Sequence, residues 1–483
     1  MARMRTSSAL ELLVPLDRDG PEPLHRQLEQ GIREAVRSGR LAAGAALPST
    51  RALAAQLAVS RGIVVEAYEQ LGAEGYLAST PGGVTRVAIM SRPPPARPRP
   101  APATVYDVDF RPGRPDLDLF PRETWLRSVR RALDTAPSQR LGYLDGRGMP
   151  ELRDALADYL NRVRGTAADA DSIVVCSGFA QGLKLVAQVL RQRGARRVAI
   201  EDPTQPENRE DLRAIGLAVV EIPVDGSGMR VEQLDRARVQ AAVLTAAHQY
   251  PTGGVLPPDR RATLIDWAER RRGLVIEDDY DAEFRYDREP IGAMQGLSPD
   301  RVVYAGSASK ILAPGLRLGW IVVPADLAEE VAAAKKAADL GSPAIDQLAF
   351  ADFLAHGELD RHLRRLRPIY RARRDVLLAA VGRHLPELRP VGASAGLHLL
   401  AWLPPDLDET EIIEAAGRSG IRLQGVGRRR PAAFENTGEE PLGGLIFGYG
   451  TLGERELEPA VERLAGVIER VRDGGDDRRA PST

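Results

Sequence analysis

Ser307-Ala308-Ser309-Lys310-Ile311-Leu312-Ala313-Pro314-Gly315-Leu316-Arg317-Leu318-Gly319-Trp320 is the stretch from which the fold can be read outward. The chain holds 66 Lys+Arg, yet the lysines are only Lys184, Lys310, Lys335 and Lys336. Arginine stays protonated, whereas lysine can shed its proton and act as a nucleophile. A lysine between two serines and a Pro-Gly-x-Arg-x-Gly turn therefore invites a chemical explanation. Residues 301–305 read as a short apolar strand, which places Ser307, Ser309 and Lys310 at a strand end or turn. Ser307, Ser309 and Arg317 suit a phosphate, and Lys310 suits an aldehyde on the same molecule. Taken alone, the stretch also fits a surface lysine after a serine turn, so the rest of the chain has to decide.

At 483 residues there is room for two or three domains. A hydrophobic content of 43% with 28% charge is that of a soluble globular protein. Cys176 is the lone cysteine, which excludes a disulfide framework and a multi-thiolate metal site. The six histidines show no metal spacing, so no metal is expected. No signal peptide and no apolar run of membrane-spanning length is read, and the expected compartment is the cytoplasm. Net charge is −1, but residues 1–100 carry 13 Arg against 9 acids. A basic N-terminal part permits nucleic-acid binding.

In that part Leu24, Leu28, Ile32 and Val36 recur every four residues, a helical stripe. Ser49 is the expected cap of a second helix with Leu53 and Leu57 on its inner face. After a tight turn at Ala58-Val59, Ser60 is the expected cap of a third, with Val64, Ala67, Tyr68 and Leu71 inward. Two short helices joined by a tight turn are the helix-turn-helix geometry. Gly75-Tyr76-Leu77 and residues 81–87 then read as a two-stranded wing. The other reading is a trihelical protein-interaction module. Residues 91–104 carry six prolines and read as an extended spacer. The expected divisions are a winged helix over 21–89, a linker over 90–108, a large domain over 109–471 and a disordered tail over 472–483.

In the large domain, helical segments alternate with short apolar strands, which implies a mostly parallel α/β sheet with ligands at its strand ends. From about Leu340 onward a smaller α+β lobe is expected. Three strand-end constellations join Lys310. Ser177-Gly178-Phe179-Ala180-Gln181-Gly182 opens a helix whose free amides suit a phosphate. Ile276-Glu277-Asp278-Asp279-Tyr280 delivers acids and a phenol, and His248-Gln249-Tyr250-Pro251-Thr252-Gly253-Gly254 runs from a strand end into a turn. A lysine, a phosphate cradle and a carboxylate for a pyridinium nitrogen are what pyridoxal phosphate requires.

Leu47-Pro-Ser-Thr-Arg-Ala-Leu-Ala, Val59-Ser-Arg, Ala67-Tyr-Glu-Gln-Leu and Glu74-Gly-Tyr-Leu resemble the GntR family of winged helix-turn-helix regulators. The whole chain resembles the MocR subfamily, which fuses that domain to a fold-type-I aminotransferase-like domain. Tyr143-Leu-Asp-Gly-Arg-Gly-Met-Pro-Glu-Leu-Arg, the Tyr-Pro-Thr-Gly turn, Asp278-Asp-Tyr-Asp-Ala-Glu-Phe-Arg-Tyr and Arg361-His-Leu-Arg-Arg-Leu-Arg carry this resemblance. It implies that Lys310 forms the internal aldimine, Asp278 pairs with the pyridine nitrogen and Tyr280 bonds the phenolic oxygen. The backbone amides of Ala180 and Gln181, with Ser307, Ser309 and Arg317, would hold the phosphate. Tyr143 would reach the phosphate of a neighbouring subunit, implying a homodimer. In the winged helix, Ser49, Arg51, Ser60, Arg61 and Gly83 would serve operator DNA.

The chain also departs from the pattern. Where aminotransferases place an aromatic ring over the cofactor, this chain has Gln205. Where the GABA-responsive member of the subfamily has an effector-binding arginine, it has Glu207. The positions of the α-carboxylate arginine are Gly443, Gly444 and Leu445; Arg428, Arg429 or Arg430 is the candidate substitute. His362 is expected in a solvated basic helix, His398 as a satisfied neutral side chain in a strand, and Lys184 facing solvent. Three functions follow. One is a DNA-binding regulator that senses the cofactor, or a small amine or amino-acid effector, through Lys310. The second is an active aminotransferase with an accessory winged helix. The third is an effector-binding regulator that has lost the cofactor.

Overall fold

The computed structural model of the chain describes residues 16–79, 83–88, 106–143, 145–286, 291–392, 395–429 and 443–477. Its contacts divide it into two units, Met1–Ala103 and Thr104–Thr483. The proline-rich spacer 91–104 and the last six residues lie outside the described residues.

The first unit contains α1 (Leu24–Arg37), α2 (Thr50–Leu57), α3 (Arg61–Ala73) and the antiparallel pair β1 (Leu77–Ala78) and β2 (Arg86–Val87). Leu28, Ile32 and Ala35 are the buried residues of α1. A four-residue stripe drifts around a 3.6-residue helix, so Ala35 takes the inner position that the sequence suggested for Val36. Val64, Ala67, Tyr68 and Leu71 of α3 are buried, and the Tyr68 hydroxyl donates to the Pro48 carbonyl at 3.0 Å, fixing the entry to α2. Ala58, at φ 51°, turns the chain between α2 and α3. This is the winged helix-turn-helix expected from the sequence.

The second unit opens with β3 (Val108–Asp109), α4 (Arg122–Thr135) and α5 (Pro150–Arg164). Its main sheet is built from β4 (Ile173–Cys176), β5 (Arg197–Asp202), β6 (Ala218–Asp225), β7 (Gly228–Met229), β8 (Ala241–Leu244), β9 (Leu274–Asp278), β10 (Val302–Ser307) and β11 (Gly319–Val322). They lie in the order β4-β11-β10-β9-β8-β5-β6-β7. The run from β10 to β6 is parallel, while β11 is antiparallel to both its neighbours. The carboxyl ends of β4, β5, β8, β9 and β10 therefore share one edge, where parallel sheets bind ligands.

Helices bury both faces: α6 (Phe179–Gln192), α7 (Pro206–Ala214), α8 (Leu234–Ala237) and α9 (Pro258–Arg271) between strands, then α10 (Ala325–Asp339) and α11 (Ala344–Ala355) after β11. Leu183, Val186 and Val331 pack with Val174, Ile276 and Ile321 on one face. Leu156 and Phe350 pack with Val175, Tyr304 and Trp320 on the other. Covering both faces explains why these strands read as continuous apolar runs.

The smaller lobe comprises α12 (Glu358–His384), β12 (Arg389–Val391), β13 (His398–Trp402), α13 (Glu409–Arg418), β14 (Ile421–Arg422), β15 (Gln424–Gly425), β16 (Gly444–Gly448) and α14 (Glu454–Asp477). Its sheet order is β12-β13-β16-β15, and β14 pairs with β3 instead. Two expected boundaries change. Residues 107–108 belong to the folded unit, since the Asp107 and Val108 amides donate to the Gly420 carbonyl at 2.9 and 3.2 Å. The expected tail begins late, because α14 continues to Asp477; Val471 packs on the core and Arg472 pairs with Glu387 at 3.5 Å.

Candidate cofactor site

Asp278 ends β9 and stands opposite Ala305 of β10, and Lys310 follows the end of β10 by three residues. Lys310 Nζ donates to the Gly113 carbonyl at 2.6 Å. Gly113 has φ 68°, and a Cβ there would lie 3.1 Å from Nζ, so glycine is what lets this backbone meet the lysine. Burial lowers the Lys310 pKa, opposed by Asp281 and Asp278 and assisted by Arg114. Burial and then the Asp279 charge push Asp278 well above the carboxylate range, with Lys310 pulling the other way. The site thus pairs a lysine eased toward its neutral, nucleophilic form with a carboxyl short of a cation.

The residues expected to hold a phosphate lie at the adjoining edge. Gly178, at φ 115° and ψ 177°, precedes α6, and a Cβ on it would lie 3.9 Å from Arg317 Nη2. Gly319 packs its backbone on this turn; a Cβ there would meet Gly178 Cα at 2.6 Å. Arg317 is exposed, while Ser307 and Ser309 are partly buried. The Ser309 amide donates to Ser307 Oγ at 3.3 Å. One expected donor is already engaged, since the Gln181 amide donates to the Gly178 carbonyl at 3.1 Å. Gln181's side chain is occupied too: Oε1 accepts from the Ser177 amide at 2.8 Å and Nε2 donates to Asp339 at 2.7 Å. The helix start leaves Phe179 and Ala180 as the amides without a partner one turn back.

Behind this edge the acids are sorted. Asp279 points into the core, where its carboxylate accepts from Arg164 Nε at 2.8 Å, both side chains 1% exposed. Tyr280 Oη lies 3.0 Å from His248 Nδ1, which is also 3.0 Å from Asp281 Oδ2. Burial pushes Glu201, Glu277 and Glu283 each up to about 7. Gln205 is exposed at the start of α7 and forms no ring over the site. Of the candidate arginines, Arg430 lies outside the described residues, whereas Arg429 is buried. Its guanidinium donates to Tyr250 Oη at 2.7 Å, Gln424 Oε1 at 2.6 Å and the Gly425 carbonyl at 2.6 Å. Tyr250 in turn meets Tyr280 edge-on at 6.1 Å.

In the winged helix, Ser49 Oγ accepts from the Ala52 amide at 3.2 Å, the expected cap. Ser60 occupies the equivalent place before α3, but its side chain makes no capping bond. Arg51, Ser60, Arg61 and Gly83 are exposed, and Arg61 Nε touches Thr50 Oγ1 at 3.3 Å. One expectation is overturned. His362 is buried, because α12 packs into the core; burial and Arg365 lower its pKa to about 4. Two histidines, His248 and His398, bring side-chain atoms within 4.8 Å of one another and of Asp281, a grouping that distance along the chain concealed. His398 is neutral as expected, since burial holds its pKa well below the usual value, but only Nε2 is bonded, to the Pro251 carbonyl at 3.2 Å. Lys184 is half-exposed and pairs with Asp211 at 2.9 Å.

The fold and these residues can now be set beside known proteins. Residues 24–87 match the bacterial regulatory proteins of the gntR family, and residues 116–426 match aminotransferase class I and II. The pyridoxine biosynthesis regulator PdxR of Corynebacterium glutamicum is 32% identical over 473 residues, covering 95% of this chain and 99% of that protein. The chain belongs to the MocR-type GntR regulators. The probable rhizopine catabolism regulatory protein MocR of Rhizobium meliloti is 31% identical, covering 96% of this chain and 97% of its own length. Among solved structures, the kynurenine aminotransferase of Pyrococcus horikoshii, in complex with PMP, superposes with a TM-score of 0.68. It is 25% identical, over 76% of this chain and 91% of that one. No described helix is long and apolar enough to cross a membrane.

The aminotransferase class I and II family depends on pyridoxal phosphate, and the donor set of this MocR-type chain fits it. Asp278 stays raised in spite of Lys310, a shift that a pyridinium would offset, the backbone at Gly178 comes close to Arg317, and burial holds Lys310 toward its neutral form.

Proposed function

We propose that this MocR-type regulator holds pyridoxal 5'-phosphate at Lys310 and uses it to sense an amine or amino acid, changing its affinity for operator DNA. The observation that carries this is Lys310 facing Gly113, with Asp278 short of a cation on the neighbouring strand. When bound, the cofactor supplies an aldehyde that accepts a primary amine and a ring that withdraws electrons from it. Lys310 Nζ would hold that aldehyde, Asp278 would pair with the ring nitrogen and Tyr280 would donate to the phenolic oxygen. Ser307, Ser309, Arg317 and the start of α6 hold the phosphate. Tyr143 is 90% exposed, with Leu126, Leu133 and Leu141 at least half exposed on the same stretch of chain. A second copy covering these residues would bring Tyr143 to the neighbouring site and make a homodimer. In the winged helix, Arg51 and Arg61 contact DNA, with Gly83 letting the wing approach a phosphate.

Regulation is favoured over efficient turnover by Arg429. An effector carboxylate seeking this arginine competes with Tyr250, Gln424 and the Gly425 carbonyl, whereas a transaminase needs a clamp free to orient the Cα–H bond. The test titrates the full-length protein with pyridoxal phosphate, with and without amino donors, in the presence and absence of DNA from its own upstream region. A visible cofactor band, borohydride fixation to the Lys310 peptide and a reciprocal 5–150-fold coupling (the typical range) to DNA are expected. Cofactor affinity indifferent to DNA, with rapid transamination, would establish the enzyme instead.

A further inference from the structure

Tyr280 does not stand alone on the wall of the site. Its hydroxyl lies 3.0 Å from His248 Nδ1, the rings nearly parallel at 27°. The same nitrogen lies 3.0 and 3.2 Å from the two Asp281 oxygens, and Nε2 lies 3.4 Å from the Gly392 carbonyl. His248 and Asp281 are fully buried. The packing around them admits only glycine: a Cβ on Gly396 would stand 2.4 Å from both Asp281 Oδ2 and His248 Cε1, and one on Gly253 3.0 Å from Nε2.

We propose that His248 and Asp281 are a positioning pair that fixes the direction of the Tyr280 hydroxyl. The pair forces the Tyr280 proton toward the cofactor and so sets the proton affinity of the cofactor joined to Lys310. The proposal rests on the cofactor assignment made above.

Both imidazole nitrogens face acceptors, a carboxylate on one side and a carbonyl on the other, so each carries a proton. Burial opposes that charge, but Asp281 and then Gly392 outweigh it and raise the His248 pKa. With Nδ1–H donating, Tyr280 Oη can accept from the imidazolium and cannot donate to it. Its own proton is then shared between Asp281, which already bonds the phenol, and a partner in the cleft. Without His248, Asp281 would keep that proton, since its charge and its hydrogen bond to the phenol both raise the Tyr280 pKa after burial.

The other groups around the pair agree with this assignment. His398, its ring 5.2 Å from His248, is held neutral by burial and by the His248 charge. Arg285 works against the imidazolium without overcoming Asp281. Asp281 also acts on Lys310 itself, where it is the larger of the two raising influences. The pair therefore reaches both ends of the cofactor's proton-bearing edge. A metal ion held by His248, Asp281 and His398 would need Nδ1 stripped of its proton, so the two arrangements exclude each other.

The test uses full-length protein carrying His248→Asn or Asp281→Asn, each alone and combined with Tyr280→Phe. The visible band of the bound cofactor is followed against pH. A displacement of its midpoint by about one unit or more in each single variant is expected, a tenfold change in proton affinity. In the Tyr280→Phe background the His248→Asn displacement should vanish, whereas Asp281→Asn should keep only the part it exerts directly on Lys310. An unmoved midpoint, or one that moves equally without the phenol, overturns the proposal, as does stoichiometric zinc in the purified protein. Nitrogen-15 NMR of the cofactor-free wild type provides a second readout. A doubly protonated His248 imidazole at neutral pH supports the pair, and a neutral one overturns it. Absence of any visible band in the wild type would instead defeat the cofactor assignment, while the NMR result would still decide the state of the pair.

Discussion

Replacing Asp278 with asparagine should move two quantities in opposite directions. Asp278 is a carboxyl at the end of β9, pushed well above its ordinary pKa by burial and by Asp279. Above that raised pKa, the cofactor-free protein holds an under-compensated negative charge. The sign follows from linkage: the folded state binds the proton more tightly, so stability falls as pH rises from the unfolded value near 3.9 through the raised folded value, and then levels off. The asparagine amide carries no such proton, so at pH 8 the cofactor-free variant should melt above wild type, by about 1–3 °C for each kcal/mol relieved in a unit of this size. At pH 4 the difference should close. With cofactor the order reverses. A hydrogen bond to a charged partner contributes about 1.5–3 kcal/mol, so Asp278→Asn should weaken pyridoxal phosphate binding by about 10- to 150-fold. The assay is thermal unfolding of cofactor-depleted protein at both pH values, beside a spectroscopic cofactor titration. A cofactor-free variant less stable than wild type at pH 8, with unchanged cofactor affinity, would refute the assignment of Asp278 to the ring nitrogen.

Other perturbations test separate parts of the molecule. Gly319→Ala would drive a Cβ to 2.6 Å from Gly178 Cα, where only backbone can yield; a loss of about 1–3 kcal/mol in urea unfolding and weaker cofactor binding are expected. His362→Leu should remove a proton-linked weakness. The wild-type imidazole, neutral in the fold with its pKa near 4, costs stability as pH falls from about 6.5 to about 4, by at most about 3 kcal/mol. Denaturant midpoints at pH 7 and 4.5 should therefore lie closer together in the variant. Arg51→Ala and Arg61→Ala should each weaken operator binding by about 1–3 kcal/mol if the residue reads a base. A uniform loss across sequences with a shallower salt slope would mark a phosphate contact instead.

Much of the site was legible because its residue types are scarce or placed at strand ends. Lys310 stands out among four lysines, and Asp278 and Tyr280 follow an apolar strand. What stayed hidden depends on long-range contacts or on helices buried more widely than their charge suggests. Gly113 meets Lys310 across 197 residues, and nothing local marks a glycine in a Pro-Gly-Arg run as the lysine's partner. His248 and Asp281 both sat inside motifs singled out for other residues, yet only the parallel pairing of β8 and β9 brings them together. The basic helix α12 looks solvated by composition, but it runs 27 residues through the lobe. Its arginines are partly spent inside: Arg373 pairs with Asp116 at 2.7 Å, and Arg374 covers the Tyr286 ring at 5.0 Å. A long arginine stem can be buried while its head is paired, so charge count alone misplaces the helix.

The division of labour among the acids at the end of β9 follows from which of them already owns a cation. Asp279, one residue beyond Asp278, points into the core and is answered by Arg164 at 2.8 Å. Asp281 is answered by His248 at 3.0 Å. Glu201, Glu277 and Glu283, without such a pairing, are pushed up to about 7 by burial. Asp278 differs from these in being partly exposed at the strand end. A fold that needed only stability would place a neutral side chain there, because an uncompensated carboxylate at a dry site is expensive. An acid retained at Asp278, while its neighbours are matched internally, is what the proposed pairing with a cationic ring requires.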